Sequence, residues 1–404
     1  MSPGARTPGF LQGITLLLPI TMNVMGISVL TPVVHLMLTQ FKDVPYHDYM
    51  VIGGVLTMPA IWFLIFSPIA GWLADRCGRR KLLLVAMVVY AFVGIAPAFL
   101  SNLNAIIASR IAVGICESIV VTASTCLIGD YFSGHARERW MASQTAVASI
   151  SALGIIYLGG VLGSAYGWRG PFYLYIYSLV LAFGVYALVW EPPVERADPG
   201  DVQLDGASVH FPWARMTGIC SLTLLASTCF YTVVTKNAEA MVSLGVSDPA
   251  IIGKYTMLAS IGVPLGTFIY WGVARWPIRW LLTIDFAVLG FGFVLMGTAA
   301  NPSGYAWGSF INQLGCGMVL PTMLVWATRG LTYAIRGRGI GMWQASFAIG
   351  QFVSGMAVTL LSGPAGGLLP ALRLMGEAAG LIAIGAAAIG TLWNRTPPAR
   401  AVRT

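Results

Sequence analysis

The sequence predicts an all-α protein that crosses a lipid bilayer many times. Its 404 residues are 57% hydrophobic and only 9% charged, whereas about a quarter of the residues of an ordinary soluble domain are charged. The apolar residues form long stretches, each able to cross a hydrocarbon core of roughly 30 Å as a helix. Basic residues gather in the short connections between these stretches. Together these observations indicate a polytopic helical membrane protein.

Hydropathy predicts twelve spans in two sets of six. The first set lies near residues 12–38, 49–73, 82–100, 104–128, 141–165 and 171–190. The second set lies near residues 216–244, 250–274, 280–300, 304–328, 339–362 and 370–394.

A long polar segment separates the two sets, and a paired Pro192-Pro193 lies within it. Such composition is typical of a connection rather than of a span. We therefore divide the chain into an N-terminal bundle of residues 1–190, a cytoplasmic linker of residues 191–215 and a C-terminal bundle of residues 216–404.

The basic residues predict the orientation in the membrane, because short loops rich in Lys and Arg stay in the cytoplasm. With both termini inside, 17 of the 23 Lys and Arg residues fall on the cytoplasmic side, five fall outside and Arg110 lies within a span. We expect an integral protein of a bacterial inner membrane with both termini cytoplasmic. This bias also accounts for the net charge of +8, so we expect no nucleic-acid partner.

The turn between the second and third spans carries the most specific motif. It reads Gly-Trp-Leu-Ala-Asp-Arg-Cys-Gly-Arg-Arg-Lys from Gly71 to Lys81. This pattern resembles the helix 2 to helix 3 signature of the major facilitator superfamily of secondary transporters, with every signature position filled. The resemblance implies two six-helix bundles that hold substrate between them near the midplane and work by alternating access.

The same resemblance implies a conformational switch in this turn. Its residues are Gly71, Asp75, Arg76, Gly78, Arg79 and Arg80. In the family, the acid that corresponds to Asp75 binds across to the start of helix 11 and helps to hold the outward-facing state closed on the inside. We expect Gly71 to allow close approach of two helices and the arginines to supply charged partners.

Two charged residues lie inside the fourth predicted span. Arg110 and Glu117 are separated by two helical turns, so they face the same way, and Glu117 lies near the midplane. A charge at that depth costs at least about 2.5 to 3.5 kcal/mol on insertion scales, so it needs a cavity or a partner. One interpretation is an Arg–Glu pair that ties helices together. The other is a carboxyl group that exchanges protons as water and substrate come and go.

A resemblance favours the second interpretation. The pattern Arg-x-x-x-Gly beginning at Arg110 resembles the second motif of the superfamily, whose Arg is implicated in proton coupling. A Glu seven residues after that Arg is similar to the arrangement in Spinster-type lipid transporters. The resemblance thus implies a proton-coupling role for Arg110 and Glu117.

Three further charged residues are secondary candidates. Lys236 and Glu239 have the spacing of a local helical pair, with a substrate or gate contact as the alternative. Asp285 should lie near the inner end of the ninth span, where we expect it to pair with a cytoplasmic cation such as Arg275 or Arg279.

The fifth span carries Gly159 and Gly163, followed by the turn Gly167-Trp168-Arg169. This arrangement resembles the end of the antiporter motif of the superfamily. Ile155 and Ile156 occupy the Gly-Pro positions of that motif, so its proline kink is absent. The Gly-x-x-x-Gly spacing still predicts close helix packing.

Scattered polar and aromatic residues within the spans predict a cavity that is mostly apolar. The candidates are Asn23, Gln144, Tyr157, Tyr231, Asn312, Gln313, Trp326 and Gln344. Each one taken singly is more often a helix–helix contact than a ligand contact. As a set they suit an amphipathic organic molecule better than a sugar or a peptide.

We therefore expect a monomeric secondary transporter that exports a drug-like or lipid-like compound in exchange for protons. One alternative is uptake or uniport of a small organic anion held by Arg110, because Arg binds carboxylate bidentately. A membrane enzyme or sensor is the alternative from another class, but no catalytic set appears in the spans. The four His residues are scattered, so we expect neither a metal site nor a cofactor.

Overall fold

The computed structural model describes residues 8–191, 211–329, 331 and 333–393, without the side chains of residues 75, 138, 142, 333–337 and 389–393. Regular structure in these ranges is helical. The first half contains α1 (Phe10–Gln40), α2 (His47–Ala74, helical on to Cys77), α3 (Arg79–Ala98), α4 (Leu103–Tyr131), α5 (Gly134–Tyr166) and α6 (Tyr177–Leu188). The second half contains α7 (Trp213–Ser243), α8 (Pro249–Val273), α9 (Ile278–Gly297), α10 (Pro302–Thr328), α11 (Tyr333–Ala365) and α12 (Leu368–Trp393).

The predicted all-helical membrane fold is confirmed. Within the described residues, 11 helical stretches are long and apolar enough to cross a membrane. One of them, Gly134–Leu188, has 55 residues and contains both α5 and α6. Gly167 ends α5 with φ 65°, a left-handed conformation that glycine adopts without steric cost. If α5 and α6 each cross the membrane, these 11 stretches make twelve crossings. The number twelve therefore remains a prediction.

Each half has its own apolar core. Side chains such as Met87 and Phe172 are fully buried in the first core, and Phe286 and Val319 are fully buried in the second. Tyr231 of α7 also packs against the first core, so α7 links the halves. The boundaries of the predicted linker cannot be compared with these cores, since residues 192–210 lie outside the described part of the chain.

The two halves meet toward one end of the helices. We call this end the distal side, and we call the opposite end, which carries the turn at Gly78, the basic side. Three pairs of elements approach closely on the distal side. His35 Nε2 of α1 lies 3.0 Å from the carbonyl of Ser247, and the Thr57 hydroxyl of α2 donates to the carbonyl of Phe352 in α11 at 3.2 Å.

The third close approach joins α5 and α8 through glycine backbones. A Cβ atom placed on Gly160 would lie 2.5 Å from the carbonyl oxygen of Pro249 and 3.0 Å from the Cα of Gly253. The predicted close packing of the Gly-x-x-x-Gly segment is confirmed on the neighbouring face of α5. There, Cβ atoms placed on Gly159 and Gly163 would collide with α1. These close approaches close the two halves against each other on the distal side.

Substitution of Gly160 should open the distal side. Gly160→Ala introduces a methyl group too close to the Pro249 carbonyl, so α5 and α8 must separate. Spin labels at the exposed positions Tyr166 and Ile251 should report a longer distance in Gly160→Ala than in the parent. The matched control is Gly154→Ala on the same helix, where a Cβ meets nothing within 4 Å. Equal distance distributions in both variants would contradict the described contact.

Candidate functional site

The turn between α2 and α3 is bound to other helix ends of the first half. Gly78 has φ 85°, a conformation that favours glycine. The backbone N–H groups of Arg79 and Arg80, at the start of α3, donate to the Glu191 carboxylate at 2.6 and 2.9 Å. A carboxylate in that position satisfies free amide groups and complements the helix dipole. The Arg79 guanidinium forms an ion pair with Asp130 at the end of α4.

Of two other predicted switch residues, Gly71 differs from expectation in this conformation, and the role of Arg76 stays a prediction. Gly71 does not allow a close helix approach here, because a Cβ placed on it would meet nothing within 4 Å. The physical reason is that the halves meet on the distal side, whereas Gly71 lies toward the basic end of α2. Arg76 stacks over the Trp72 ring with its guanidinium carbon 4.5 Å from the ring centroid. The side chain of Asp75 lies outside the described residues, so its predicted role stays a prediction.

Arg110 is fully buried and binds three other helical segments. Its Nε donates to the carbonyl of Val55 in α2 at 2.8 Å, and one terminal nitrogen donates to the Tyr175 hydroxyl at 2.6 Å. The other terminal nitrogen donates to the carbonyl of Gly26 in α1. The planar guanidinium thus holds α1, α2 and the segment before α6 against α4.

Helix irregularities make both backbone acceptors available. Pro59 lies four residues after Val55 and has no N–H to donate to its carbonyl. The N–H of Leu30, four residues after Gly26, donates to Ile27 instead. Each carbonyl would otherwise be used within its own helix. The breaks in α1 and α2 therefore supply the acceptors that a buried guanidinium needs.

Glu117 is the middle residue of α4, 14 residues from either end, and only 2% of its surface is exposed. It packs against α1 so closely that a Cβ placed on Gly26 would lie 2.1 Å from its Oε1. Although both side chains are buried and described, Arg110 and Glu117 form no ion pair. The pairing interpretation therefore does not describe this conformation.

The Tyr90 hydroxyl lies beside Glu117. The Tyr90 hydroxyl has one hydrogen, which it donates to the Met22 carbonyl at 2.7 Å. Glu117 Oε1 is a second and more distant acceptor, 3.5 Å from the same hydroxyl. The Tyr90 and Tyr175 rings lie 5.1 Å apart, so they connect the surroundings of Glu117 and Arg110. Neither tyrosine was expected from the sequence, because tyrosines are ordinary residues of membrane spans.

Three of the polar cavity candidates make contacts within one half. Gln144 donates to the Thr125 hydroxyl at 3.0 Å, and Asn312 donates to the Leu289 carbonyl at 3.1 Å. Gln313 is only 2% exposed and is held within the second half. These residues act here as helix–helix contacts.

The remaining candidates are not brought together. Asn23 and Trp326 are half-buried in different halves, whereas Tyr157 and Gln344 are exposed. Tyr231 lies near the middle of α7 and contacts both halves. As a substrate cavity, the set stays a prediction. Among the described residues, no group of His, Cys, Asp and Glu could hold a metal ion.

An aromatic group that we did not expect surrounds Tyr231. The Tyr231 and Phe347 ring centroids lie 5.6 Å apart, and Trp343 stacks on Phe347 at 5.7 Å. The buried Nε1 of Trp343 has no hydrogen-bond partner in the described chain. The sequence signal was the spacing of Trp343 and Phe347 by one turn of α11.

Of the three secondary candidates, Lys236 and Glu239 form a pair, whereas Asp285 does not form the expected one. The predicted pair is confirmed, because Lys236 Nζ lies 2.6 Å from the Glu239 carboxylate. Asp285 is fully buried, and the expected ion pair with Arg275 or Arg279 is absent from the described residues. Six residues of helix place Asp285 and Arg279 about 120° apart around α9, which explains the absence.

A helical membrane protein with two halves closed on one side and with buried charged groups has the construction of a transporter. A family model described as Major Facilitator Superfamily matches residues 16–355. The chain belongs to this superfamily of transporters and is an integral membrane protein.

Curated relatives include a spinster homologue and an efflux pump. Protein spinster homolog 3 of Danio rerio is 24% identical over 237 residues, covering 51% of this chain and 47% of that protein. Efflux pump dotC of Dothistroma septosporum is 29% identical over 178 residues, covering 39% of this chain and 30% of that protein. The chain thus matches less than half of the length of either relative.

Solved structures agree with the fold over nearly the whole chain. A bacterial homologue of the human lysosomal transporter Spinster, in an inward-facing and occupied conformation, superposes with a TM-score of 0.73 at 15% identity. That comparison covers 96% of this chain and 98% of the other. A D-xylose–proton symporter superposes with a TM-score of 0.75 at 17% identity, covering 93% and 97%. These likenesses establish the fold.

The packing of Glu117 against Gly26 should be visible in stability. Gly26→Ala forces the carboxyl group to move, and overpacking of this kind costs about 1 to 3 kcal/mol. Thermal unfolding of the purified protein in detergent should show a lower midpoint than the parent. Gly218→Ala is the control, because a Cβ there meets nothing within 4 Å. The contact is disproved if the two variants unfold at the same temperature.

Replacement of the Arg110 guanidinium should not be tolerated even when the charge is kept. A flexible ammonium cannot match three acceptors in one plane, so Arg110→Lys should lose at least one charged hydrogen bond, about 1.5 to 3 kcal/mol. The unfolding free energy in denaturant measures this loss. Arg373→Lys, at an exposed pair with Glu377, should change stability by less than about 0.5 kcal/mol. If Arg110→Lys and Arg373→Lys lost similar amounts of unfolding free energy, the described hydrogen bonds of Arg110 would be contradicted.

Proposed function

We propose that this transporter exports an amphipathic organic compound, drug-like or lipid-like, in exchange for protons. The observation that carries the proposal is the buried carboxyl of Glu117, which lies at the middle of α4 without an ion-pair partner. An ionised carboxylate is costly in such surroundings unless it is paired. Glu117 therefore holds a proton in this conformation and is suited to release it when its surroundings change.

Arg110 supplies the electrostatic reason for release. Its positive charge lies on the same face of α4, two turns away, and attracts a carboxylate but not a neutral carboxylic acid. When water or substrate reaches Glu117, ionisation becomes favourable and the new charge competes for the guanidinium. The carbonyls of Gly26 and Val55 then lose part of their hydrogen bonding to Arg110.

The competition between ionised Glu117 and the two carbonyls for Arg110 links proton release to the contacts of the distal side. Gly26 and Val55 belong to α1 and α2, the same helices that contact the second half through His35 and Thr57. Loosening of α1 and α2 from Arg110 changes how these helices meet the second half. Proton binding and distal opening are thereby coupled within one connected set of contacts.

We further propose that the basic side is the open one in this conformation, and the positive-inside bias predicts that this side faces the cytoplasm. If the basic side faces the cytoplasm, the conformation is inward-facing, and both termini are cytoplasmic. We place the protein in a bacterial inner membrane as a monomer. In this state Glu117 would deliver its proton to the cytoplasm while substrate enters from the same side.

The aromatic group around Tyr231 supports the substrate class. Stacked rings with one free donor, Trp343 Nε1, suit a largely apolar compound that carries an acceptor. Similarity to an efflux pump supports export as the direction of transport. Uptake of an organic anion is less well supported, since all three nitrogens of Arg110 already donate to protein groups.

The test uses proteoliposomes with an imposed pH gradient and a panel of fluorescent amphipathic dyes and lysophospholipids. The parent should move at least one of them with counterflow of protons. Glu117→Gln keeps the shape of the side chain but cannot titrate, so it should lose gradient-driven transport and retain part of the substrate exchange.

The matched control is Glu377→Gln, which removes an exposed carboxylate paired with Arg373 and should transport like the parent. Gradient-driven transport at the parental rate in Glu117→Gln would exclude Glu117 from coupling. Substrate movement by the parent without any proton flux would overturn the proposed exchange.

A further inference from the structure

A second buried carboxyl group lies in the other half of the protein. Asp285 is on α9, seven residues from its start at Ile278, and is fully buried. Both of its carboxylate oxygens lack a hydrogen-bond partner within the described chain. A buried charged group in that state is rare, because buried polar atoms are almost always satisfied.

The neighbouring groups do not compensate a negative charge. The Thr322 hydroxyl of α10 donates at 2.9 Å to the Met318 carbonyl of its own helix. The titratable groups in the vicinity are Tyr270 of α8 and Cys316 of α10, and neither carries positive charge. Arg329, which follows α10, lies near Tyr270 on the same side of the second half. On its own helix the nearest cation in sequence is Arg279, about 120° away around the helix.

The face of α12 that packs on α9 offers no counter-charge either. It approaches Gly290 of α9 through Gly376, Ala379 and Gly380, which carry no ionisable group. The acid on that helix, Glu377, is half-exposed and pairs with Arg373. Among the described residues of α8, α9, α10 and α12, no cation thus donates to the Asp285 carboxylate.

We propose that Asp285 is a second proton-binding site, located in the C-terminal half, and that it is protonated in this conformation. A protonated carboxyl is neutral and tolerates apolar packing, whereas an ionised one does not. A metal cation is the other species that could neutralise the charge, but it requires several oxygen ligands. The nearby hydroxyl of Thr322 is already directed to a carbonyl.

The site gives each half one buried acid, Glu117 in α4 and Asp285 in α9. If both release protons during the cycle, more than one proton is exchanged for each substrate. That consequence rests on the proton coupling proposed above, but the protonation of Asp285 does not. The two claims therefore need separate measurements.

Infrared spectroscopy of the purified protein measures the protonation directly. A protonated carboxyl has a C=O stretching band that a carboxylate lacks, and carbon-13 labelling of aspartate side chains shifts the band of Asp but not that of Glu. At neutral pH, labelled parent protein should show a shifted component from Asp285 and an unshifted one from Glu117. Asp285→Asn should remove the first component and Glu117→Gln the second, while Glu239→Gln should remove neither.

Labelling of the parent keeps the test decisive if Asp285→Asn does not fold. Absence of an aspartic acid band at neutral pH would overturn the proposal. If the aspartic acid band disappeared when sodium was added at constant pH, Asp285 would be a cation site and the proposal would also be overturned. An aspartic acid band in a protein that moves substrate without proton flux would support the second site and refute proton exchange. Proton flux in a protein that lacks this band would support proton exchange and refute the second proton-binding site.

Discussion

A guanidinium inside a bilayer must donate its N–H groups to the protein, because no water is available there. Arg110 meets this constraint by binding the carbonyls of Gly26 and Val55 and the hydroxyl of Tyr175. The arrangement of the first half follows from it. The breaks in α1 and α2 free acceptors, and α4 becomes the helix around which the others are arranged. Glu117 lies on this same helix, so the proposed change in its charge would act on the interaction that holds the half together.

The second half meets the same constraint differently. It carries no buried arginine in the described residues, and its buried cation, Lys236, is paired with a neighbour one turn away. Asp285 has no such partner. One half therefore keeps an acid beside a buried cation, and the other keeps an acid among neutral groups. If both acids hold protons in the same conformation, they do so for different physical reasons and should respond to different changes in their surroundings.

The sequence predicted the membrane fold, and it located Arg110 and Glu117, because an ionisable residue is conspicuous in an apolar stretch. It could not predict the acceptors of Arg110, since the Val55 carbonyl is free only because Pro59 has no N–H, and it becomes an acceptor only where α2 packs against α4. The role of Tyr90 depends equally on the approach of α3 to α4. Asp285 was expected to be paired because its distance in sequence from Arg279 is short, whereas its direction around the helix decides the contact.

The distal closure consists of neutral contacts. Its described members are backbone packing between Gly160 and Gly253 and two hydrogen bonds from His35 and Thr57 to carbonyls. Such forces fade within about an ångström of separation, unlike the attraction between ions, which extends over roughly 8 Å at physiological salt. Partly separated halves would gain almost nothing from these contacts. Opening of this side should therefore be an all-or-none step, and ionic strength should have little influence on its equilibrium.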